Sequence, residues 1–313
     1  MPECAALVQP LIDRLKLVTP GDEVCRLFHG RGGTLAGFEQ LTVDWYPPVL
    51  LVTAFKSQTP GLIEDLQQEL SGLWEDIWKF DGEMNLVFQQ RGREGARTEV
   101  LSGAVPETHY VQEHGCKYVV HLLRGQNHGL FLDMRNGRKW VQSNAKERKV
   151  LNLFSYTCAF SVAAMTGGAD ETVNIDMSKG ALATGRQNHQ LNGIDAGVRL
   201  LGHDIFKSWG KLRKLGPYDL VIADPPSHQK GSFVATKDYA RLLRKLPELI
   251  TAGGDVLLCL NAPELSRKFL MDQVAAECPG LQFIQQLDNP EIFEDIDPDR
   301  ALKVLLYRRE SRL

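Results

Sequence analysis

The sequence predicts an α/β fold: a seven-stranded Rossmann-like sheet preceded by a small α+β domain. Three observations carry this. From Lys149 onward, β-rich apolar runs alternate with helix-length segments five times, and a strand pair with no helix between its members closes the series. Residues 150–176, VLNLFSYTCAFSVAAMTGGADETVNID, read as strand, turn, helix, strand and a terminal acid. Residues 23–125 instead show two strand clusters around one helix.

The 313 residues allow about two domains, and a chain 43% hydrophobic and 24% charged has enough apolar residues for a real core. No uninterrupted apolar run approaches the ~18 residues of a membrane span. The first residues, MPECAALVQPLIDRLKLV, carry Asp13 and Arg14 among apolar positions and read as an amphipathic helix, not a signal peptide. The six cysteines form no C-x-x-C pair and the eight histidines have no ligand spacing. Buried thiols in a reducing cytoplasm are expected, without disulfides or a metal.

The formal net charge of −3 is uneven. Residues 1–125 hold 11 basic and 17 acidic side chains, while 126–313 hold 25 and 22. Four bases and no acid lie between Lys207 and Lys214. That is far from the excess expected of a nonspecific nucleic-acid binder, although a local basic face on the second domain is compatible with it; a solvated helix surface explains it equally well.

Taken in order, residues 1–22 form the N-terminal helix, 23–125 the small α+β domain and 126–313 the sheet domain. In the small domain, strands near 24–28, 41–45 and 49–55 are separated by the His29–Gly33 turn and the Pro47-Pro48 break. A helix starts at Pro60-Gly61, with Leu62, Leu66, Leu70, Leu73 and Ile77 on one face. Strands follow at 83–90, 98–102, 109–113 and 118–123. Trp45, Trp74 and Trp78 could stack bases, but their apolar-face positions suit core packing better. The domain shows no catalytic chemistry; substrate recognition is the role left to it.

The joining segment GQNHGLFLDMRNGR, residues 125–138, carries Phe131, Asp133 and Arg135 just before the sheet domain. Arg135 could fork onto an amino-acid carboxylate of a cofactor, or Asp133 and Arg135 could cap and pair at a helix start. In the sheet domain, Gly167-Gly168 ends the first helix and Ser178 is a good N-cap for the second, which ends at Asn192-Gly193. The third strand, 198–201, leads to Asp204, and the fourth, 218–223, to Asp224-Pro225-Pro226-Ser227-His228. Helices at 236–250 and 263–278 flank a fifth strand at 255–260, and strands at 281–287 and 301–307 finish the sheet.

A strand–turn–helix–strand–acid unit suits a nucleoside, with turn amides and the helix N-terminus toward the polar tail and the acid on the ribose hydroxyls. A dinucleotide would require G-x-G-x-x-G so that the backbone can approach a pyrophosphate. The turn here, Phe154-Ser155-Tyr156-Thr157-Cys158, contains no glycine, which favours S-adenosyl-L-methionine, whose tail is an amino acid. Asp176, Asp204 and Asp224 follow successive strands, at the sheet end where such folds bind ligands. Asp176 suits the ribose, Asp204 the adenine amino group, and Asp224 the neighbourhood of the transferred methyl.

GLFLDMR, VLNLFSYTCAFSVAA, NIDMS, the N-H-Q-L-N-G helix end and DPPS together resemble class I S-adenosylmethionine-dependent methyltransferases related to large-subunit (23S) ribosomal RNA methyltransferases. The resemblance covers most of the chain. It implies a seven-stranded methyltransferase sheet, a ribosomal RNA substrate, and cofactor contacts from Phe154 to Cys158, Asp176, Met177, Asp204, Ile205 and Asp224, with Phe131, Asp133 and Arg135 nearby. Three departures stand out. No N-terminal stretch is long enough for the PUA domain that some relatives carry. Cys158 stands where relatives often have glycine. The 5-methylcytosine relatives carry a nucleophilic cysteine just after strand five, about where this chain has Ala262; Cys259 lies within the strand and reads as core.

Carbon-5 of a pyrimidine is a poor nucleophile and needs a thiolate; a base nitrogen does not. The sequence therefore predicts in-line transfer to a base nitrogen, with Asp224, Pro225 and Pro226 as the catalytic turn. The prolines stiffen it and lack competing N–H groups, so its oxygens can accept from an amino group. His228 could stack on the target or take a proton. Methylation of a small molecule or protein, or a non-catalytic RNA-associated protein that binds the cofactor, are the alternatives. Nothing in the sequence selects an oligomeric state.

Overall fold

The computed structural model describes residues 2–58, 60–92, 95–226, 228–229 and 233–311; the side chains of 2–7, 228 and 229 lie outside that description. The chain divides into two compact units, Met1–Leu132 with Glu291–Ile296, and Asp133–Pro290 with Asp297–Leu313.

In the first unit, α1 (Pro2–Leu15) precedes β1 (Cys25–His29), β2 (Leu41–Tyr46), β3 (Val49–Ala54), α2 (Leu62–Gly72), β4 (Asn85–Gly92) and β5 (Gly95–Ser102). These strands form one sheet in sequence order. It is antiparallel except for β3–β4, where α2 supplies the crossover that a parallel pair requires. β6 (His109–Glu113) and β7 (Cys116–Val120) make a separate hairpin. Val8, Leu11, Ile12 and Leu15 on α1 share one core with Leu66 and Leu70 on α2 and with strand residues such as Val43 and Leu50. The helix read as running to Ile77 widens into a π turn at Leu73–Ile77. Trp45, Trp74 and Trp78 are core residues, each satisfying its indole N–H on a backbone carbonyl, of Gly21, Gly82 and Val18 respectively.

The second unit comprises α3 (Arg135–Asn144), β8 (Lys149–Leu153), α4 (Ala159–Thr166), β9 (Glu171–Ile175), α5 (Lys179–Leu191), β10 (Val198–Leu201), α6 (Trp209–Leu215), β11 (Tyr218–Ala223), the short pair β12 (His228–Gln229) and β13 (Phe233–Val234), α7 (Ala235–Leu243), β14 (Ile250–Leu260), α8 (Arg267–Glu277), β15 (Leu281–Leu287) and β16 (Lys303–Arg309). Its sheet runs β10-β9-β8-β11-β14-β16-β15, parallel except for β16, which pairs antiparallel with both its neighbours. Helices on both faces explain why β8, β9 and β11 read as apolar runs instead of alternating ones. The strand order reverses between β8 and β11, so their carboxyl ends open the crevice where such sheets take ligands.

In the middle of β14, Asp255 is 1% exposed and bridges two arginines, Arg148 Nη1 at 2.7 Å and Arg308 Nε at 2.8 Å. This ties β14 and β16 to the residue that leads into β8. Asp255→Ala strips both cations of their partner, and an expected loss of about 3 kcal/mol should appear in urea unfolding, at the low end for buried pairs because both arginines keep some solvent. Unchanged stability would show that the arginines simply turn to water.

Candidate active site

The turn after β8 is where the sequence and its backbone pull in different directions. Phe154, Tyr156 and Cys158 adopt left-handed φ of 56°, 46° and 62°. Side chains cost about 1–2 kcal/mol each in that region, which is why glycine would suit position 158. Tertiary contacts hold the strained turn. Ser155 N–H donates to the Ile175 carbonyl (3.1 Å), Tyr156 N–H to Asp176 Oδ2 (2.8 Å), and Asn188 Nδ2 to the Thr157 carbonyl (2.9 Å). Helix α5 comes close because residue 185 is glycine: a Cβ there would sit 2.6 Å from Cys158 Sγ.

Beneath the turn, Asn152, Asn174, Ser161 and His189 form a buried network. Asn152 Nδ2 donates to Asn174 Oδ1 (2.9 Å), and Asn174 Nδ2 to Ser161 Oγ (2.9 Å). His189 Nδ1 faces the Gly185 carbonyl at 2.7 Å and so carries the proton, leaving Nε2 to accept from Ser161 Oγ at 2.8 Å. Burial lowers the His189 pKa, in keeping with a neutral ring. Several asparagines that carried the family resemblance are therefore scaffold, fixing β8, β9 and α5 to one another.

Asp176, just past β9, accepts from Tyr156 N–H through Oδ2 and from Ser178 N–H through Oδ1 at 2.7 Å. Each carboxylate oxygen has a further lone pair for a ligand hydroxyl. Ser178 caps α5 through Ala181 N–H at 3.2 Å. Met177 is 52% exposed at the same tip. Asp204, past β10, accepts from Phe206 N–H at 2.9 Å and starts a short 3₁₀ turn; Ile205 is buried in the core, so only its backbone can meet a ligand. A ring cluster lines these strand ends: Phe233 stands edge-on to Phe154 (5.2 Å) and stacks with Phe206 (6.3 Å), over which Arg241 lies at 4.2 Å.

Asp224 follows β11 directly, partly buried, with Pro225 buried behind it and Pro226 half-buried. Burial pushes its pKa up to about 7; the Asp133 charge adds to the rise and the Arg138 guanidinium opposes it. A carboxyl balanced near neutrality in a ligand crevice is a recognisable functional signature. Arg138 is 3% exposed, a deeply buried cation on α3 that the sequence reading passed over in favour of the half-buried Arg135. Its only local signal is its place on the inward face of α3, three residues after Arg135. Tyr239, fully buried, donates its hydroxyl to the Cys259 carbonyl, and burial holds its pKa well above the usual range.

Two thiols stand near these strand ends. Burial pushes Cys158 up to about 12 and Cys259 well above the ordinary value, so both stay protonated at neutral pH. Ser227 and the His228 side chain lie outside the described residues; the His228 backbone pairs with Val234. Phe131, 42% exposed, falls in the first unit, while Asp133 and Arg135 fall in the second. Among the described residues no cluster of His, Cys, Asp and Glu could hold a metal ion, and no helix is long and apolar enough to cross a membrane.

Comparison with known proteins adds an independent line. The family described as S-adenosylmethionine-dependent methyltransferase matches residues 25–308. The ribosomal RNA large subunit methyltransferase I of Erwinia tasmaniensis is 31% identical over 85% of this chain and 70% of its own length. The enzyme of the same name from Aeromonas salmonicida is 30% identical over 77% of this chain, a match that spans only 62% of that relative. Among solved structures, a protein from Streptococcus mutans described as a SAM-dependent methyltransferase superposes with a TM-score of 0.81 at 26% identity, covering 96% of this chain and 81% of that one. Another, a methyltransferase complexed with SAH, gives 0.79 at 25%, covering 98% and 80%.

Proposed function

The chain belongs to the S-adenosylmethionine-dependent methyltransferase family, and from that premise we propose that it methylates a base nitrogen in RNA, namely large-subunit ribosomal RNA. Bound S-adenosylmethionine would supply an electrophilic methyl on a sulfonium. The donor set fits that group. The turn 154–158 would present backbone amides to the amino-acid tail, Asp176 would take the ribose hydroxyls, and Asp204 with the backbone at Ile205 would meet the adenine edge. Met177, Phe131, Asp133 and Arg135 complete the proposed cofactor contacts. No glycine-rich approach for a pyrophosphate exists in the turn.

One observation carries the catalytic half of the reading: Asp224 stands at the end of β11, beside the switch point, where burial, with Asp133 adding and Arg138 opposing, raises its carboxyl to about 7. Ionised, it would accept from the amino group of a target base, leaving the nitrogen lone pair aimed at the methyl, while Pro225 and Pro226 hold the turn rigid. The protonated, buried Cys158 and Cys259 favour nitrogen over carbon-5, because carbon-5 methylation requires a thiolate. The first unit would present the substrate, and a ribosomal substrate implies action in the cytoplasm.

The test is methyl transfer from labelled S-adenosylmethionine into separated RNA, protein and small-molecule fractions of cells lacking this protein. The expected result is label in large-subunit RNA, on a nucleoside that digestion identifies as methylated at nitrogen. Label confined to protein or small molecules would overturn the substrate, and a 5-methylpyrimidine product would overturn the atom.

A further inference from the structure

The first unit carries a partly buried cation whose hydrogen bonds go to neutral groups. Arg91, on β4, is half-buried, and its hydrogen bonds go to neutral acceptors: Nε to Gln89 Oε1 at 2.7 Å and Nη2 to the Gln126 carbonyl. Among the described residues no carboxylate hydrogen-bonds to it. Asp44, the acid whose charge acts on it, bonds to Arg26 through both oxygens, to Nε at 2.7 Å and Nη2 at 3.1 Å. Taking a charge out of water is costly, and burial depresses the Arg91 pKa while the Asp44 charge opposes the fall.

Other groups converge on the same place. Arg31 lies over one ring, Phe55, at 4.4 Å, and Arg91 over that ring at 5.2 Å, so two guanidinium groups share one aromatic partner. Arg26 lies over Phe293 at 4.6 Å and donates from Nη1 to His29 Nδ1 at 2.8 Å. That bond leaves the proton of neutral His29 on Nε2, as a donor. Burial, and after it the charges of Arg26 and Arg31, pushes the His29 pKa down to about 3, so the ring is neutral. His128, 5% exposed and within the fields of Arg91 and Asp44, donates Nδ1–H to the His121 carbonyl at 3.0 Å; its Nε2 has no hydrogen-bond partner among the described residues.

We propose that Arg31 and Arg91 over Phe55, with His29 beside them, form a phosphate-binding site that grips a phosphodiester of the RNA substrate. Guanidinium forks match phosphate oxygens, and stacking on Phe55 presets their orientation. The site lies wholly in the first unit, a part of the chain that is acidic overall, so the cluster would confine the polyanion to one place. The proposal rests on the RNA reading and extends it to the unit without catalytic chemistry.

Full-length protein should be titrated with a fluorescein-labelled single-stranded oligoribonucleotide across a salt series, comparing wild type with Arg31→Gln and Arg91→Gln. Each substitution is expected to weaken binding about fivefold at ~0.15 M salt and to lower the salt slope by about one. Affinity for S-adenosylhomocysteine should not change. Arg31 is exposed, so its variant reports on binding even if the Arg91 variant folds poorly. Inorganic phosphate at constant ionic strength forms a second arm. Wild-type binding to RNA with both variants unaltered overturns the site while sparing the RNA reading. Phosphate whose binding is lost in the variants, beside unaltered RNA binding, assigns the site to free phosphate and overturns it as an RNA grip. A wild type that neither binds nor methylates RNA overturns both.

Discussion

Asp224→Asn is expected to lower the rate of methyl transfer by about 10²-fold or more while leaving S-adenosylmethionine affinity nearly unchanged. The side chain keeps its shape, but the charge that would accept from the target amino group is gone, and one carboxylate oxygen becomes a donor facing another donor. A full rate in this variant would remove Asp224 from the chemistry. The pH profile gives a second readout. Because burial and Asp133 raise this carboxyl to about 7, wild-type transfer should climb as pH rises through that region, and the climb should be absent in the variant.

The same group should cost stability. Its folded pKa of about 7 lies above the ordinary 3.8, so the native state holds a proton that the unfolded chain has already released. Stability contributed at this site is therefore lost as pH rises from about 4 to about 7, and the full penalty persists above that. Partial solvent contact trims it to roughly 2–4 kcal/mol. Urea unfolding at pH 4 and pH 8 should find Asp224→Asn increasingly more stable than wild type at the higher pH. A gap that does not widen would mean that the carboxyl ionises normally.

Asp176→Ala is expected to weaken S-adenosylmethionine binding by about 10²-fold or more, measured by calorimetry. Two charge-assisted hydrogen bonds to ribose hydroxyls would account for most of this, at about 1.5–3 kcal/mol apiece before compensation by water. The remainder is internal. The carboxylate also anchors Tyr156 N–H and Ser178 N–H, so its removal releases one restraint on a turn already strained at Phe154, Tyr156 and Cys158. Unchanged affinity would mean that Asp176 is only a structural tie between β9 and the turn.

What the sequence determined alone was whatever has a local signature. The apolar runs at Lys149–Leu153, Glu171–Ile175, Val198–Leu201 and Tyr218–Ala223 announced parallel strands, and an acid follows each of the last three within a few residues. Strand periodicity and chain order place Asp176, Asp204 and Asp224 at one end of the sheet without any knowledge of packing. The lack of glycine in the turn was visible too, as was its bearing on the cofactor. The left-handed backbone of Cys158 was not visible, because Asn188, Gly185 and Asp176, far along the chain, hold it there.

Tertiary structure alone decided which charged residues matter electrostatically. Arg135 and Arg138 look alike on one helix, yet only Arg138 is buried and coupled to Asp224. Arg91 reads as an ordinary strand residue until its hydrogen bonds are found on neutral acceptors and the ring of Phe55 is shared with Arg31. A sequence records the identity of each charge. Its energy depends on how much water remains around it and which opposite charges come within a few ångströms, and folding sets both by joining segments distant in the chain.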